Sequence, residues 1–375
     1  MAGSLRQRSE DSWQLRVHLG RDPESGRKRY VERTFRGSKR QAEKALAALV
    51  TEAESLPRRS NSDSTVERLL REWLEHASLS FSPSTVTVTS GYIDNAIVPA
   101  LGSIPVAKLT ATEIDRFYRK LLTVGGPRGP YKPASIRRVH GILRRALSQG
   151  VRWGWLKDNP AVRASPPRVP VRELRPPTPD EVARLFRLAE STNPPLAMFI
   201  VLAASTGARR GELVALRWPS IDLKNGMLSI ERGIVIADNK LIEQSTKTHQ
   251  NRNVSLDDVT LQLLEFHRER VSGIAAECST TLVTDAFVLS ESPNGSEPMR
   301  PDSVTRAFRT LCAKAGVKDV RLHDLRHYVA TQLLGQGVDV RTVAGRLGHR
   351  NPSTTLNVYA KARELQQVNE EALLA

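Results

Sequence analysis

Cysteine and long apolar runs are scarce in this chain of 375 residues. Its two cysteines, Cys278 and Cys312, give no disulfide framework of the kind that staples small secreted domains. No run reaches the roughly 18 apolar residues that suggest a transmembrane helix, and the N-terminus lacks the apolar segment of a secretory signal. These absences predict a cytoplasmic protein with no membrane partner. The length suffices for two or three domains with a sizeable core.

Acidic residues are also in deficit. The chain has 40 Asp and Glu against 56 Lys and Arg, which gives a net charge of +16. A surface of this sign attracts polyanions, of which nucleic acid is the commonest. An anionic membrane surface is a rival partner, but the sequence has no basic amphipathic helix to bind it. On charge alone, a basic protein that merely stays soluble remains an alternative.

The first 60 residues predict a small sheet followed by a helix. Apolar and polar residues alternate over 13–19, as in a half-buried strand. A turn-forming segment at 21–26 leads to a return strand at 28–35, and Ser38 caps a helix that continues to about Ser55. The polar segment that follows has no periodicity and predicts a linker.

Residues 64–165 predict a second, helical domain. Helical patterns begin at residues that commonly cap helices, namely Thr65, Ser82, Thr110 and Ser135. The second of these helices is predicted to end near Pro99, and an Asp-Asn-Pro sequence closes the domain. Six prolines between residues 163 and 179 then predict an extended connector, with the linker itself at 166–179.

The densest positive block of the chain lies across the end of this helical domain. Between Pro127 and Arg175 there are twelve Lys or Arg against Asp158 and Glu173 alone. A solvated helix face is one reading, but the near absence of acidic partners favours a footprint on the DNA backbone. The candidate DNA-binding residues are Arg128, Lys132, Arg137, Arg138, Arg144 and Arg145.

The last segment, residues 180–375, is predicted to be mostly helical. One stretch, from about 222 to 256, instead favours a short antiparallel sheet. Helices are also predicted at 353–362 and 364–373, and the apolar stripe of the latter fits docking either on its own domain or on a neighbouring subunit. The predicted fold class is mainly α with small antiparallel β-sheets (α+β), in several domains.

Four sequence pieces of this segment carry chemistry. The first is Ser205-Thr-Gly-Ala-Arg209-Arg-Gly-Glu212-Leu, in which a glycine ends one helix and places Arg209 at a corner. The second is a Thr-Lys-Thr sequence around Lys247, beside a strand. The other two are Leu-His323-Asp-Leu-Arg326-His and Leu-Gly-His349, with Tyr359 ten residues further on. His323 and Arg326 are three apart and so share one helix face.

These pieces resemble the active-site boxes of the tyrosine recombinases, the family of phage integrases and Xer-type resolvases. The resemblance is strong over residues 180–375 and moderate over 64–160, whose helices resemble the family's SAM-like core-binding domain. Residues 1–55 resemble, more weakly, the three-stranded arm-binding domain of many integrases. The resemblance implies three domains, at 1–60, 64–165 and 180–375.

The chemistry suits these residue types. Arg209 and Arg326 can each give a fork of hydrogen bonds to a phosphodiester, whose negative charge grows as a nucleophile attacks. A phenol such as that of Tyr359 becomes nucleophilic as its phenolate, which nearby cations favour. The resemblance implies that Tyr359 forms a 3′-phosphotyrosine and that Lys247 protonates the 5′ oxygen.

The remaining positions have supporting roles. By resemblance, His323 and His349 hold the phosphate and assist proton transfer, while Glu212 orients Arg209. The resemblance implies that no metal, cofactor or ATP is needed.

The same segment also contains residues that fit other assignments. His323 and His327 are four apart, as in some metal sites, but no third ligand cluster is evident. Lys240 is a less fitting substitute for Lys247. Tyr328 is a second candidate nucleophile, but it lies about 200° from Arg326 around a helix and should point away from the phosphate.

The predicted partners are double-stranded DNA attachment sites and three further copies of the chain, in a homotetramer. A host DNA-bending protein and an excision factor are further candidate partners. The predicted function is an integrase of a mobile element such as a phage genome. Alternatives are a Xer-type resolvase, which residues 1–60 disfavour, a conjugative-transposon recombinase, a catalytically silent DNA-binding regulator and a metal-dependent nuclease.

Overall fold

The computed structural model describes residues 3–21, 28–55, 64–126, 129–170, 175–245 and 251–348. The chain divides into two compact units, residues 1–170 and 171–375. In the described residues helices predominate, and the sheets are small and antiparallel. The predicted fold class is therefore confirmed. None of the described helices is both long and apolar enough to cross a bilayer.

The first unit begins with a three-stranded sheet. Its strands are β1 (Gly3–Ser9), β2 (Ser12–Arg21) and β3 (Lys28–Arg36), in the order β1-β2-β3. Helix α1 (Lys39–Ser55) packs on the face that carries Trp13, Leu15 and Val17. The hydrophobic pattern missed β1, because Leu5 is its one residue that packs against this core and the others are polar or glycine.

The rest of the first unit is helical and has its own core. Its α-helices are α2 (Val66–Ser78), α3 (Pro83–Tyr92), α4 (Val98–Leu101), α5 (Ala111–Thr123) and α6 (Pro133–Arg152), with 3₁₀ turns at Val106–Lys108 and Pro160–Val162. Thr110 and Glu113 form the predicted capping box. The predicted helix from Ser82 to near Pro99 is not one regular helix, because a π turn at Ile93–Ile97 separates α3 from α4.

Two apolar cores lie within this unit, one under the sheet and one among the helices. The division into domains at 1–60 and 64–165 stays a prediction, as does the linker at 166–179.

The second unit begins with two helices, and the second of them is largely buried. α7 (Pro179–Thr192) precedes α8 (Pro194–Thr206), whose Leu196, Phe199 and Leu202 lie in the main core. α9 (Arg210–Val214) follows and is only five residues long. The later helices are α10 (Asp258–Glu277), α11 (Pro301–Lys314), α12 (Asp324–Gly335) and α13 (Val340–Leu347).

The predicted single sheet between 222 and 256 is wrong in one respect, because its strands form two separate sheets. β4 (Ile221–Asp222), β5 (Met227–Ile230) and β8 (Arg252–Ser255) form one, in the order β4-β5-β8. β6 (Arg232–Ala237) and β7 (Lys240–Ser245) form a two-stranded hairpin. The reason is that β8 pairs with β5 rather than with β7, a long-range choice that local alternation does not reveal.

Candidate active site

The corner at the end of α8 places the first arginine. Gly207 ends the helix with φ 65°, in the left-handed region that glycine adopts most easily. A side chain at this position would also overlap Leu347 of α13. The chain then turns directly into α9, with Arg209 as the residue that precedes its first turn.

Arg209 is held on both sides of its guanidinium. Its Nη1 donates to Oε1 of Glu212 at 2.8 Å, and its backbone N donates to Oε2 of the same carboxylate at 2.9 Å. Its Nη2 donates to the carbonyl oxygen of Gly348 at 2.8 Å. The Arg209 side chain stays 30% exposed, whereas that of Glu212 is 5% exposed. Because its guanidinium is partly exposed while Glu212 is buried, Arg209 can be held in place and still bind a ligand.

Glu212 also binds a second arginine that sequence reasoning missed, Arg252. Both terminal nitrogens of Arg252 contact the Glu212 carboxylate, with Nη1 3.3 Å from Oε1. Although burial alone would raise it, the hydrogen bonds and charges of Arg252 and Arg209 hold the pKa of Glu212 below its ordinary value. Glu212 is therefore ionised at neutral pH. Its position fits the predicted role of orienting Arg209.

Arg326 is the most deeply buried cation of the site. Its Nη1 donates to the carbonyl oxygen of Gly207 at 2.8 Å, and the residue is 3% exposed. Within the described residues its Nη2 is buried and has no hydrogen-bond partner. Burial, with the positive charge of Arg209 next, lowers the pKa of Arg326 to about 9, so the group stays protonated at neutral pH.

His323 lies at the start of α12, one turn before Arg326. The partial loss of water around its ring and the charge of Arg326 lower the pKa of His323, and the charge of Arg209 contributes in the same direction. The imidazole is therefore neutral at pH 7. The structure thus brings together four predicted residues, Arg209, Glu212, His323 and Arg326.

The neighbouring His327 forms an edge-on pair with His323, with ring centroids 5.1 Å apart. Burial, followed by the charge of His323, lowers the pKa of His327 to about 4. Among the described residues, no three His, Cys, Asp or Glu side chains gather into a group that could hold a metal ion.

The end of α13 lies against the site and contacts Arg209. Gly348 ends this helix with φ 67°, in the left-handed region that glycine adopts most easily. Arg346, on the last turn, donates from Nη2 to the carbonyl oxygens of Ser205 and Ser255 at 3.0 and 2.9 Å. These bonds tie α13 to the end of α8 and to β8. This role of Arg346 could not be predicted from the sequence, because its partners are distant in the chain.

Three predicted catalytic residues, Lys247, His349 and Tyr359, lie outside the described residues. The predicted helices at 353–362 and 364–373 do as well. Of their surroundings, Ser245 ends β7 and Gly348 immediately precedes His349.

The second candidate nucleophile, Tyr328, belongs to an apolar cluster on α12 and α13. It packs against buried residues that include Val329, Leu334 and Val343. Burial raises the pKa of Tyr328 above its ordinary value, which disfavours its phenolate.

The candidate DNA-binding residues belong to the first unit. Arg128 lies outside the described residues, and Lys132 immediately precedes the first residue of α6. Four exposed arginines share the face of α6 opposite its buried stripe, namely Arg137, Arg138, Arg144 and Arg145. Among the described ion pairs, none involves these four side chains. The result is an exposed positive helix face.

Comparison with known sequences identifies the family. The family described as "Phage integrase family" matches residues 177–366, more than half of the chain. The description "Phage integrase, N-terminal SAM-like domain" matches residues 65–122. The chain therefore belongs to the phage integrase family, the tyrosine recombinases, and its function is site-specific recombination of DNA.

Individual relatives agree in length as well as in class. A tyrosine recombinase XerC-like protein of Caldanaerobacter subterraneus subsp. tengcongensis is 25% identical over 96% of this chain and 95% of its own. The ICEBs1 integrase of Bacillus subtilis is 24% identical over 95% of both chains. The integrase of Mycobacterium phage L5 is 24% identical over 93% of this chain and 86% of its own.

Solved structures share the fold. The Tn1549 transposon integrase in complex with a circular intermediate DNA has a TM-score of 0.67 at 18% identity, covering 81% of this chain and 99% of its own. A lambda integrase tetramer bound to a Holliday junction has a TM-score of 0.62 at 20% identity, covering 94% of both chains.

Proposed function

We propose that this recombinase integrates and excises a mobile element, such as a phage genome, by joining DNA transiently to Tyr359. The observation that carries this proposal is the buried Arg326, whose second terminal nitrogen has no described partner, beside the partly exposed Arg209. A buried cation is costly unless an anion pairs with it. A DNA phosphate is the anion that fits two guanidinium forks.

The proposed reaction is a transesterification. The Tyr359 oxygen attacks phosphorus and forms a phosphotyrosine bond while the bond between phosphorus and the 5′ oxygen breaks. The phenol proton leaves to a neighbouring base, and Lys247 gives a proton to the departing 5′ oxygen. The DNA keeps a 3′ phosphate on the protein and a free 5′ hydroxyl.

The other residues act on the phosphate. Arg209 and Arg326 stabilise its growing charge, and His323 and His349 hold it and assist proton transfer. Glu212 orients Arg209, whose backbone N and Nη1 donate to its two carboxylate oxygens. Since each phosphoester bond broken is replaced by another, the proposed reaction needs no ATP. It needs no metal ion either, because Arg209 and Arg326 stabilise the charge that grows on the phosphate.

The proposed substrate is a pair of double-stranded DNA attachment sites, held in the cytoplasm by four copies of the chain. The lambda integrase structure contains a tetramer on a Holliday junction, which supports this assembly. The α6 arginines would contact core-site phosphates, and residues 1–60 would contact arm sites. Residues 364–373 would dock on a neighbouring subunit, and a host DNA-bending protein and an excision factor would set direction.

A Xer-type resolvase is the second candidate role. Residues 1–60 do not exclude it, because a XerC-like relative aligns over 96% of the chain and so includes most of that segment. A conjugative-transposon recombinase would use the same chemistry, and the similarity to the Tn1549 integrase fits it. A catalytically silent regulator would need the same DNA contacts but no nucleophile.

The test is a covalent adduct. The purified chain is mixed, in EDTA, with supercoiled DNA from beside its own gene and run on a denaturing gel. We expect an adduct with the wild type and with Tyr328→Phe, and none with Tyr359→Phe. An adduct that survives Tyr359→Phe would contradict the proposed nucleophile, and an adduct that requires a metal ion would contradict the proposed chemistry.

A further inference from the structure

Arg252 occupies an inward position of a sheet. It pairs with Ile230 across β5 and β8, on the same face as Val254, and is only 9% exposed. An arginine at such a position is costly unless its donors are satisfied. The donors of Arg252 are satisfied by two separate segments of the site.

The first segment is the start of α9, and the second is the end of α13. Nη1 and Nη2 of Arg252 contact the carboxylate of Glu212. Its Nε donates to the carbonyl oxygen of Arg346 at 3.0 Å. A Cβ placed on Gly348 would lie only 3.0 Å from Nη1, so the guanidinium lies directly against the turn.

These two segments are also the ones that hold Arg209. Glu212 accepts from Nη1 of Arg209, and the carbonyl oxygen of Gly348 accepts from its Nη2. We propose that Arg252 is a positioning residue, which fixes the orientation of the Arg209 guanidinium through Glu212 on one side and through the turn at Gly348 on the other. This inference rests on the proposed role of Arg209 at the phosphate.

Arg252 also lies close in the chain, or through its hydrogen bond, to two further catalytic candidates. It begins β8, five residues after Lys247, and it binds the carbonyl of Arg346, three residues before His349. One side chain therefore anchors described residues that flank two further catalytic candidates. Moving it would displace supports on both sides of the proposed phosphate site.

Lysine should not replace this arginine. The three nitrogens of a guanidinium lie in one plane and bind a carboxylate and a separate carbonyl together, whereas an ammonium keeps the charge but has a single nitrogen. Arg252→Lys thus separates charge from geometry. If charge alone mattered, the lysine variant would retain full activity.

Arg175 provides a control with the same bonding pattern in the same unit, on a side chain that is 50% exposed. Its Nη2 donates to Oε1 of Glu181 at 2.9 Å, and its Nη1 donates to the carbonyl oxygen of Lys318 at 3.1 Å. It too joins a buried carboxylate to a backbone carbonyl, but its partners make no described bond to Arg209. Arg175→Lys therefore removes a similar structural link without touching the site.

The experiment compares wild type, Arg252→Lys and Arg175→Lys as full chains. The rate of adduct formation is measured at saturating protein on supercoiled DNA from beside the gene, and DNA affinity and melting temperature are measured in parallel. Reactions are run well below every melting temperature, so that a stability defect disappears while a positioning defect persists. If Arg252→Lys is unfolded even at that temperature, the rate of Arg252→Gln is measured instead.

We expect Arg252→Lys to slow adduct formation on the order of 10- to 100-fold, the effect of a small misplacement of a catalytic group. Its DNA affinity should stay near that of wild type, and Arg175→Lys should react at the wild-type rate. An unchanged rate for Arg252→Lys, or an equal loss in Arg175→Lys, would overturn the inference. Absence of adduct from the wild type would instead count against the proposed function itself.

Discussion

Arg326 is a buried cation with an incomplete set of partners, which fits a site that binds an anion. It lies at 3% exposure, near the like charge of Arg209, with Nη2 unpaired among the described residues. Such an arrangement weakens the free protein, because desolvation and the repulsion from Arg209 outweigh the attraction of Glu212. Active sites commonly trade stability for function in this way.

A stabilising but inactivating substitution is therefore predicted at this residue. Arg326→Met removes the buried charge and keeps a similar length, so the free energy of unfolding without DNA should rise by about 1 kcal/mol. Adduct formation should be lost, since the proposed phosphate site would keep only one of its two guanidinium groups. Urea unfolding and the adduct assay measure the two effects. A variant that is clearly less stable than wild type would show that Arg326 is part of the structural support instead.

At the same scale, the sequence can predict which side chains lie close together when they are near neighbours in the chain. Arg209 and Glu212 are three apart, as are His323 and Arg326, so a helix brings each pair together. Arg252 could not be predicted in this way, because its partners depend on the pairing of β8 with β5 and on the end of α13. One signal was available, since Arg252 takes an inward position in an alternating strand.

At the scale of elements, the junction between α8 and α9 controls where Arg209 lies. Gly207 has a positive φ and packs against Leu347, so α8 can end and α13 can approach only with glycine there. The motif predicted this break, because glycine commonly ends helices. The division of the strands into two sheets could not be predicted, since it depends on contacts distant in sequence.

Adding one methyl group tests the junction. Gly207→Ala should cost at least about 1 kcal/mol from the left-handed backbone alone, and the clash with Leu347 should add to it. The control is Gly273→Ala in α10, where an added Cβ meets nothing within 4 Å and a helical alanine should gain about 0.5 to 1 kcal/mol. Urea unfolding gives both values. Equal effects of the two substitutions would show that the corner does not depend on glycine.

The exposed face of α6 is proposed to bind DNA phosphates, and this can be measured. Arg144→Gln with Arg145→Gln should weaken DNA binding similarly for all sequences. It should also reduce the slope of log affinity against log salt by roughly 2, because each phosphate contact releases counterions. Arg68→Gln is the control, since Arg68 pairs with Glu72 on α2. Binding titrations at several salt concentrations measure the slopes, and an unchanged slope in the double variant would remove α6 from the interface.

At the scale of the whole molecule, two compact units carry different tasks in this account. The first unit presents a positive helix face, and the second gathers Arg209, Glu212, His323 and Arg326. The family match covers parts of both units. The net charge of +16 predicted a nucleic-acid partner, but the chemistry could be predicted only from the ordered motifs. The attachment sequences depend on DNA contacts that no single residue reveals.

The proposed reaction joins DNA to Tyr359 with a defined polarity. The most direct measurement is to isolate the adduct formed in EDTA, digest its protein and DNA, and identify the modified peptide and the DNA end by mass spectrometry. We expect a 3′ phosphate linked to Tyr359 and a free 5′ hydroxyl on the other strand end. A link to any other residue, or a 5′ phosphate on the protein, would contradict the proposed reaction.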